Sequence, residues 1–117
     1  MKYIIQTADA TVLRNTIISH VEKKKDPEGK DIRSWGVTTP KDSKEKVLIH
    51  VTEQWEDKGN LHLKASKDDK ELEVYFHYWS GFSEEDRSGD EDKYLFGRFT
   101  ELLLVHFWTD GLKVEIA

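Results

Sequence analysis

The chain contains no cysteine, so disulfides, thiolate metal centres and cysteine nucleophiles are excluded together. Proline occurs twice, at Pro27 and Pro40, so there is no proline-rich linker that would divide the chain. No stretch approaches the roughly 20 apolar residues needed to span a bilayer, and the apolar run after Met1 is too short for a signal peptide. Glycine-rich phosphate loops, nucleophile elbows, paired metal-binding motifs and internal repeats are missing as well. Positive charge is in short supply: Lys and Arg total 18 against 23 Asp and Glu, a net charge of −5. The one dense basic run, Lys23-Lys24-Lys25, reads as favourable charge at a helix C-terminus. An acidic chain without a segregated basic patch is repelled by phosphate backbones, so nucleic acid is not the expected partner. These absences predict a cytoplasmic, soluble protein with no membrane partner and no cofactor. At 117 residues it is expected to be one domain, residues 1–117.

What is present centres on Val47 to Trp79, three strand-like runs joined by short turns. Apolar residues alternate at period 2: Val47, Ile49, Val51 and Trp55, then Leu61, Leu63 and Ala65, then Leu72, Val74, Phe76 and Tyr78. Asp57-Lys58-Gly59 reads as a three-residue turn with a left-handed glycine, pairing Glu56 with Asn60. Asp68-Asp69 reads as a two-residue turn pairing Lys67 with Lys70. In this register Trp55, Leu61 and Phe76 share a core row, and Lys64 lies beside Glu73 as an opposite-charge pair. His50, Gln54, His62, Tyr75 and His77 then point outward.

Before the meander, Lys2 to Gln6 is predicted as a strand, and Thr7 or Asp9 as the cap of a helix reaching about Lys25. Ala10, Leu13, Ile17 and Val21 make its core stripe, with His20 at the boundary, satisfied by a hydrogen bond. Asp26-Pro27-Glu28-Gly29 stops that helix. Ile32 to Thr39 follows as a strand in which Trp35 and Val37 alternate with Ser34 and Gly36. A right-handed crossover is expected if the first two strands are parallel neighbours.

Beyond Trp79, residues 80–92 carry six acidic side chains and only Arg87, a charge of −5 that predicts a solvated, mobile loop. Ser88 and Glu91 suggest a capping box for a helix from Asp92 to about Trp108. Its broad apolar face includes Leu95, Phe96, Phe99, Leu103, His106 and Phe107. Leu104, Val105 and Trp108 lie off that face and offer a surface for self-association. A rival reading turns 102–108 into a strand of a hairpin through Asp110-Gly111. The helical spacing of Phe99, Leu103 and Phe107 favours helix, with Gly111 as its terminator. Leu112 to Ile116 is the last strand. The sum is an α+β fold of strand, helix, four strands, helix, strand: one antiparallel or mixed sheet of about six strands with both helices on one face.

Candidate chemistry is sparse. A His50–His62–His77 metal site fails because the expected register separates His50 from His62 by about 13 Å along the strands. Asp86, Ser88, Asp90 and Asp92 do not match a calcium loop, since Gly89 falls too early and Gly97 stands where the bidentate Glu belongs. No metal site is expected. Glu53 interrupts the predicted apolar face; desolvated there, it is a candidate general acid or base. The outward aromatic group, Gln54, His62, Tyr75, His77, Trp79 and Phe82, suits a protein interface. The leading expectation is a non-enzymatic domain that binds a protein partner, with a basic one favoured by its acidic charge, in the manner of an inhibitor or immunity protein. The alternative is a small-molecule binder or hydrolytic enzyme using Glu53 or the His62 and His77 pair as acid and base.

Overall fold

The structure, a computed structural model, describes residues 1–52 and 54–117. Six strands form one sheet: β1 (Tyr3–Gln6), β2 (Trp35–Thr38), β3 (Val47–His50), β4 (Gly59–Ala65), β5 (Glu71–Tyr78) and β6 (Lys113–Ile116). Their order across the sheet is β2-β3-β4-β5-β1-β6, and every neighbouring pair is antiparallel. Helix α1 (Ala10–Lys23) follows β1, and α2 (Glu91–Leu102) precedes β6. The order of elements and the single sheet with two helices agree with the sequence reading. Because β1 sits between β5 and β6, far from β2, there is no parallel crossover. Among the described residues no helix is long and apolar enough to cross a membrane.

Both helices pack on the same sheet face. Tyr3 and Ile5 of β1, Leu61 and Leu63 of β4, and Leu72 and Val74 of β5 are buried with Ala10, Ile17 and Val21 of α1 and Leu95, Phe96 and Phe99 of α2. Tyr3 lies stacked on Phe96 with ring centroids 5.3 Å apart and meets Phe99 edge-on at 5.6 Å. Its hydroxyl, 2.7 Å from Thr100 Oγ1, satisfies the one polar atom that this burial would otherwise strand.

Asp9 caps α1 by accepting the Val12 N–H at 3.1 Å. The helix stops at Lys23, where Lys24 adopts the left-handed conformation (φ 61°). The N–H groups of Lys24 and Lys25 return to the carbonyls of Val21 and His20, closing a Schellman turn with lysine in the place that glycine usually takes. His20 is satisfied as expected, by the Lys25 carbonyl 2.9 Å from its Nδ1. In the following turn Asp26 accepts the N–H groups of Glu28 and Lys30 and lies 2.7 Å from His106 Nδ1, its side chain nearly fully buried. The His106 hydrogen bond leads the causes that hold the Asp26 carboxyl below its usual range.

The β4–β5 register is the one read from the sequence, with Leu63 opposite Val74 and Lys64 opposite Glu73. The β3 register is not. Leu48, rather than Trp55, lies opposite Leu61, because β3 ends at His50 and residues 54–58 form a turn outside the sheet. The shift is seven residues, an odd number, so the faces of β3 are exchanged. Leu48 and His50 face the helices, whereas Val51, expected in the core, is 39% exposed. Gly59 is not left-handed either; a Cβ there would meet the Phe76 ring at 2.4 Å, so the residue is glycine because a ring lies against it.

Helical structure continues past α2 as a π-helical turn, Leu103–Phe107, which removes the hairpin alternative. Leu103 and Phe107 are buried, while Leu104, Val105 and Trp108 are exposed. Gly111 lacks a positive φ and does not terminate the helix; the chain turns instead through a Leu112 N–H bond to the Thr109 carbonyl.

The acidic segment is anchored at two points. The Arg87 guanidinium lies 4.1 Å from the Tyr78 ring centre and donates to the Phe82 carbonyl. Glu91, buried at the start of α2, accepts from the Ser88 hydroxyl and N–H, the Gly89 N–H and the Tyr78 hydroxyl, at 2.7 to 3.1 Å. Half of the expected capping box is formed: Glu91 reaches back to the Ser88 N–H, but the Ser88 hydroxyl donates to Glu91 instead of capping the helix. Burial alone would raise the Glu91 pKa; the Ser88 and Tyr78 hydrogen bonds outweigh it and hold the group at about 2. A depressed carboxyl pKa stabilises the fold fully above the ordinary value of 4.5 and ceases to do so as the pH falls towards 2. Urea unfolding at pH 6 and pH 2.5 should therefore show a smaller acid loss for Glu91→Gln than for the wild type. The substitution should itself cost about 1–3 kcal/mol at pH 6.

Candidate functional site

Antiparallel parity places Asn60, His62 and Lys64 of β4 and Glu73, Tyr75 and His77 of β5 on the sheet face opposite the helices. His62 stands opposite Tyr75 and Asn60 opposite His77, so the two histidines are diagonal neighbours. Their rings stack with centroids 4.3 Å apart and planes 27° from parallel. Burial, and then the neighbouring His77, push the His62 pKa below 6.5, opposed by the Glu45 carboxylate. That shift favours the uncharged form of His62 in the stack.

The pair lies in a cleft of about 670 Å³, walled by Pro40 and Asp42 of the β2–β3 connection on one side and by Trp79 and Ser80 on the other. The Trp79 indole N–H donates to the Glu56 carbonyl at 3.1 Å, which fixes the ring at the cleft edge. Asn60, only 3% exposed, forms part of the wall; its Oδ1 has no partner among the described residues. The exposed Tyr75 donates its hydroxyl to Glu73, and that bond raises the Tyr75 pKa.

Of the six residues singled out as an interface, the structure brings His62, His77 and Trp79 into the cleft and places Tyr75 beside His62 on the same face, outside the cleft lining. Gln54 and Phe82 lie elsewhere. Gln54 lines a second cavity on the helix side, and Phe82 packs 6.0 Å from the Tyr78 ring. Glu53, the candidate acid or base, lies outside the described residues. Neither His62 nor His77 has a side-chain hydrogen bond to a carboxylate or hydroxyl among the described residues. Nor, among those residues, do three His, Asp or Glu side chains converge to hold a metal ion. His50 is on the opposite face from the pair, a stronger objection to a three-histidine centre than the distance expected from the sequence.

The second cavity, also about 670 Å³, is lined by Arg33, Trp35, His50, Trp55, Arg98 and Glu101. His50 is 7% exposed, edge-on to Trp35 at 5.0 Å, with Nδ1 3.0 Å from Thr52 Oγ1. Burial, followed by the Arg98 charge, lowers its pKa. Sequence reasoning missed this site because Val47-Leu48-Ile49 is apolar on both faces, leaving the side on which His50 falls undetermined.

No family model matches the chain, and neither a curated protein sequence nor a solved structure matches it.

If the stack persists in solution, the His62 imidazole followed by NMR should titrate below pH 6.5, and His77→Ala should raise that midpoint by removing a charge and a covering ring. A wild-type His62 midpoint at or above 6.5 would show the rings apart.

Proposed function

We propose that the chain is a protein-binding domain that holds a basic partner on the outward sheet face. The observation that carries this reading is the cleft itself: both helices pack on the other face, and His62, His77 and Trp79 line an open groove. Aromatic rings with polar handles, partly exposed around a depression, are enriched at protein interfaces. The wall of the groove contains Asp42 and Glu56 against one lysine, Lys41, and at Ser80 it passes into the acidic segment. That charge favours a projecting lysine or arginine and accelerates the encounter with a basic surface. An inhibitor that neutralises a basic toxin or nuclease is one concrete form of such a domain.

A small-molecule reading attaches to the helix-side cavity instead, where the buried His50 and Trp35 stand beside two arginines. The two are separable by experiment. Proteins captured on the immobilised chain from cell extract should be lost on Tyr75→Ala and Trp79→Ala and retained on Arg33→Ala. Truncating a central aromatic anchor should weaken binding by roughly 10-fold or more. Capture should also weaken as the pH falls through the His62 titration, since a protonated His62 opposes a basic side chain. Capture unchanged by the Tyr75 and Trp79 substitutions would refute the proposal. So would a metabolite-induced rise in melting temperature that is lost with Arg33→Ala or His50→Ala, since it would move the function to the other cavity.

A further inference from the structure

The two edges of the sheet are treated differently. At the β2 edge, the Val51 N–H bonds to the Ser34 carbonyl, so by alternation the backbone groups of Trp35 point away from β3. The Lys24 ammonium, delivered by the left-handed turn after α1, donates to that outward Trp35 carbonyl. A lysine placed on unpaired backbone groups discourages a further strand.

At the other edge nothing among the described residues pairs with the far side of β6. Lys2 and Ala117 exchange both backbone hydrogen bonds, at 2.6 and 2.9 Å. By alternation Lys113, Glu115 and Ala117 direct their backbone groups to β1, whereas Val114 and Ile116 direct theirs to the free edge. Val114 and Ile116 side chains lie on the helix-side face, opposite Ile5 and Tyr3, and Ile116 is 56% exposed. Lys113 and Glu115 lie on the outward face.

We infer that β6 pairs antiparallel with β6 of a second copy of this chain about a two-fold axis at Val114. In that register the two Val114 residues exchange both backbone hydrogen bonds. Each Ile116 N–H meets the Leu112 carbonyl of the other copy, and the Leu112 N–H is already satisfied by Thr109. On the outward face each Lys113 stands opposite the second copy's Glu115, two complementary cross-strand pairs. On the helix side each Ile116 stands opposite Leu112. Moving the axis by one residue sets Glu115 against Glu115 or Lys113 against Lys113, so charge selects one register. A lone lysine would guard this edge as Lys24 guards the other; Glu115, two residues further on, makes the edge complementary to itself. The product is a continuous twelve-strand sheet with both outward clefts on one side.

The test is sedimentation of the intact chain from roughly 10 µM to 1 mM at low salt, a range suited to a short-edge interface. A concentration-dependent dimer that weakens with added salt is expected. Glu115→Lys or Lys113→Glu alone should raise the dimer dissociation constant by about 10-fold or more, because each converts both cross-strand pairs into like charges. The doubly exchanged variant, K113E with E115K, should restore the dimer. Since the chain has no cysteine, Val114→Cys should also cross-link to itself on mild oxidation, as paired Cα atoms about 5.5 Å apart allow. Far-UV circular dichroism on each variant identifies any that fail to fold. A monomer at every concentration overturns the inference. So does a dimer indifferent to both single charge reversals but lost on Trp108→Ser, which would assign self-association to the exposed Leu104, Val105 and Trp108 patch.

Discussion

Burial of Tyr3 is the constraint around which the rest is arranged. One ring from the third residue of the chain is enclosed by Phe96 and Phe99 of α2, and its hydroxyl is answered by Thr100, 97 positions away. Because Tyr3 alternates with Ile5 on the helix-side face, its burial fixes the parity of β1, and through pairing that of β5 and β6. The outward positions of Tyr75 and His77 follow from that parity. A polar substitution at residue 3 would therefore act at a distance, on the face that never touches it.

The two histidine environments show how sheet parity controls chemistry. His62 and His77 share an open groove, where burial and then the neighbouring His77 hold the His62 pKa down. His50, immediately after the apolar run Val47-Leu48-Ile49, is instead carried to the helix side and meets Trp35 edge-on. Three histidines on two adjacent strands and their neighbour thus become one pair and one isolated buried ring. The Asp26–His106 pair adds a tie of a different kind, joining the turn after α1 to the π-helical turn after α2. Its partners are 80 positions apart, and its carboxylate is also the acceptor that shapes its own turn.

Much of the fold was legible where two independent local signals agreed. The β4–β5 hairpin combines strict alternation with a connection of even length, and the Lys64–Glu73 pair confirms the parity. Its loop is the four residues between Ser66 and Glu71, with Asp69 left-handed, rather than Asp68-Asp69 alone. Helix α1 has a capping Asp9 and a stripe at helical spacing. Legibility failed where one signal stood alone. Val47-Leu48-Ile49 offers an apolar residue to either face, and Trp55 prolonged the apparent alternation through a segment that leaves the sheet. Gly59 looked like turn chemistry, yet its absent side chain makes room for the Phe76 ring, a contact 17 positions away. Strand order had no local signature, since the insertion of β1 between β5 and β6 is decided by which apolar faces remain uncovered after the hairpins form. For the site, the same parity rule made His62, Tyr75, His77 and Trp79 visible together and misplaced Gln54, His50 and Phe82.

The central place of β1 has a further consequence during synthesis on the ribosome. β1 emerges before both of its neighbours, β5 ending at Tyr78 and β6 at Ile116. Until those segments clear the exit tunnel, Tyr3 and Ile5 have no sheet to join and their alternating apolar face stays open to other nascent chains. The hairpin of β4 and β5, by contrast, can close locally within 20 residues. Folding is thus expected to begin in the middle of the chain and to finish only when β6 joins β1, so slow translation between the emergence of β1 and that of β5 and β6 would prolong exposure of β1.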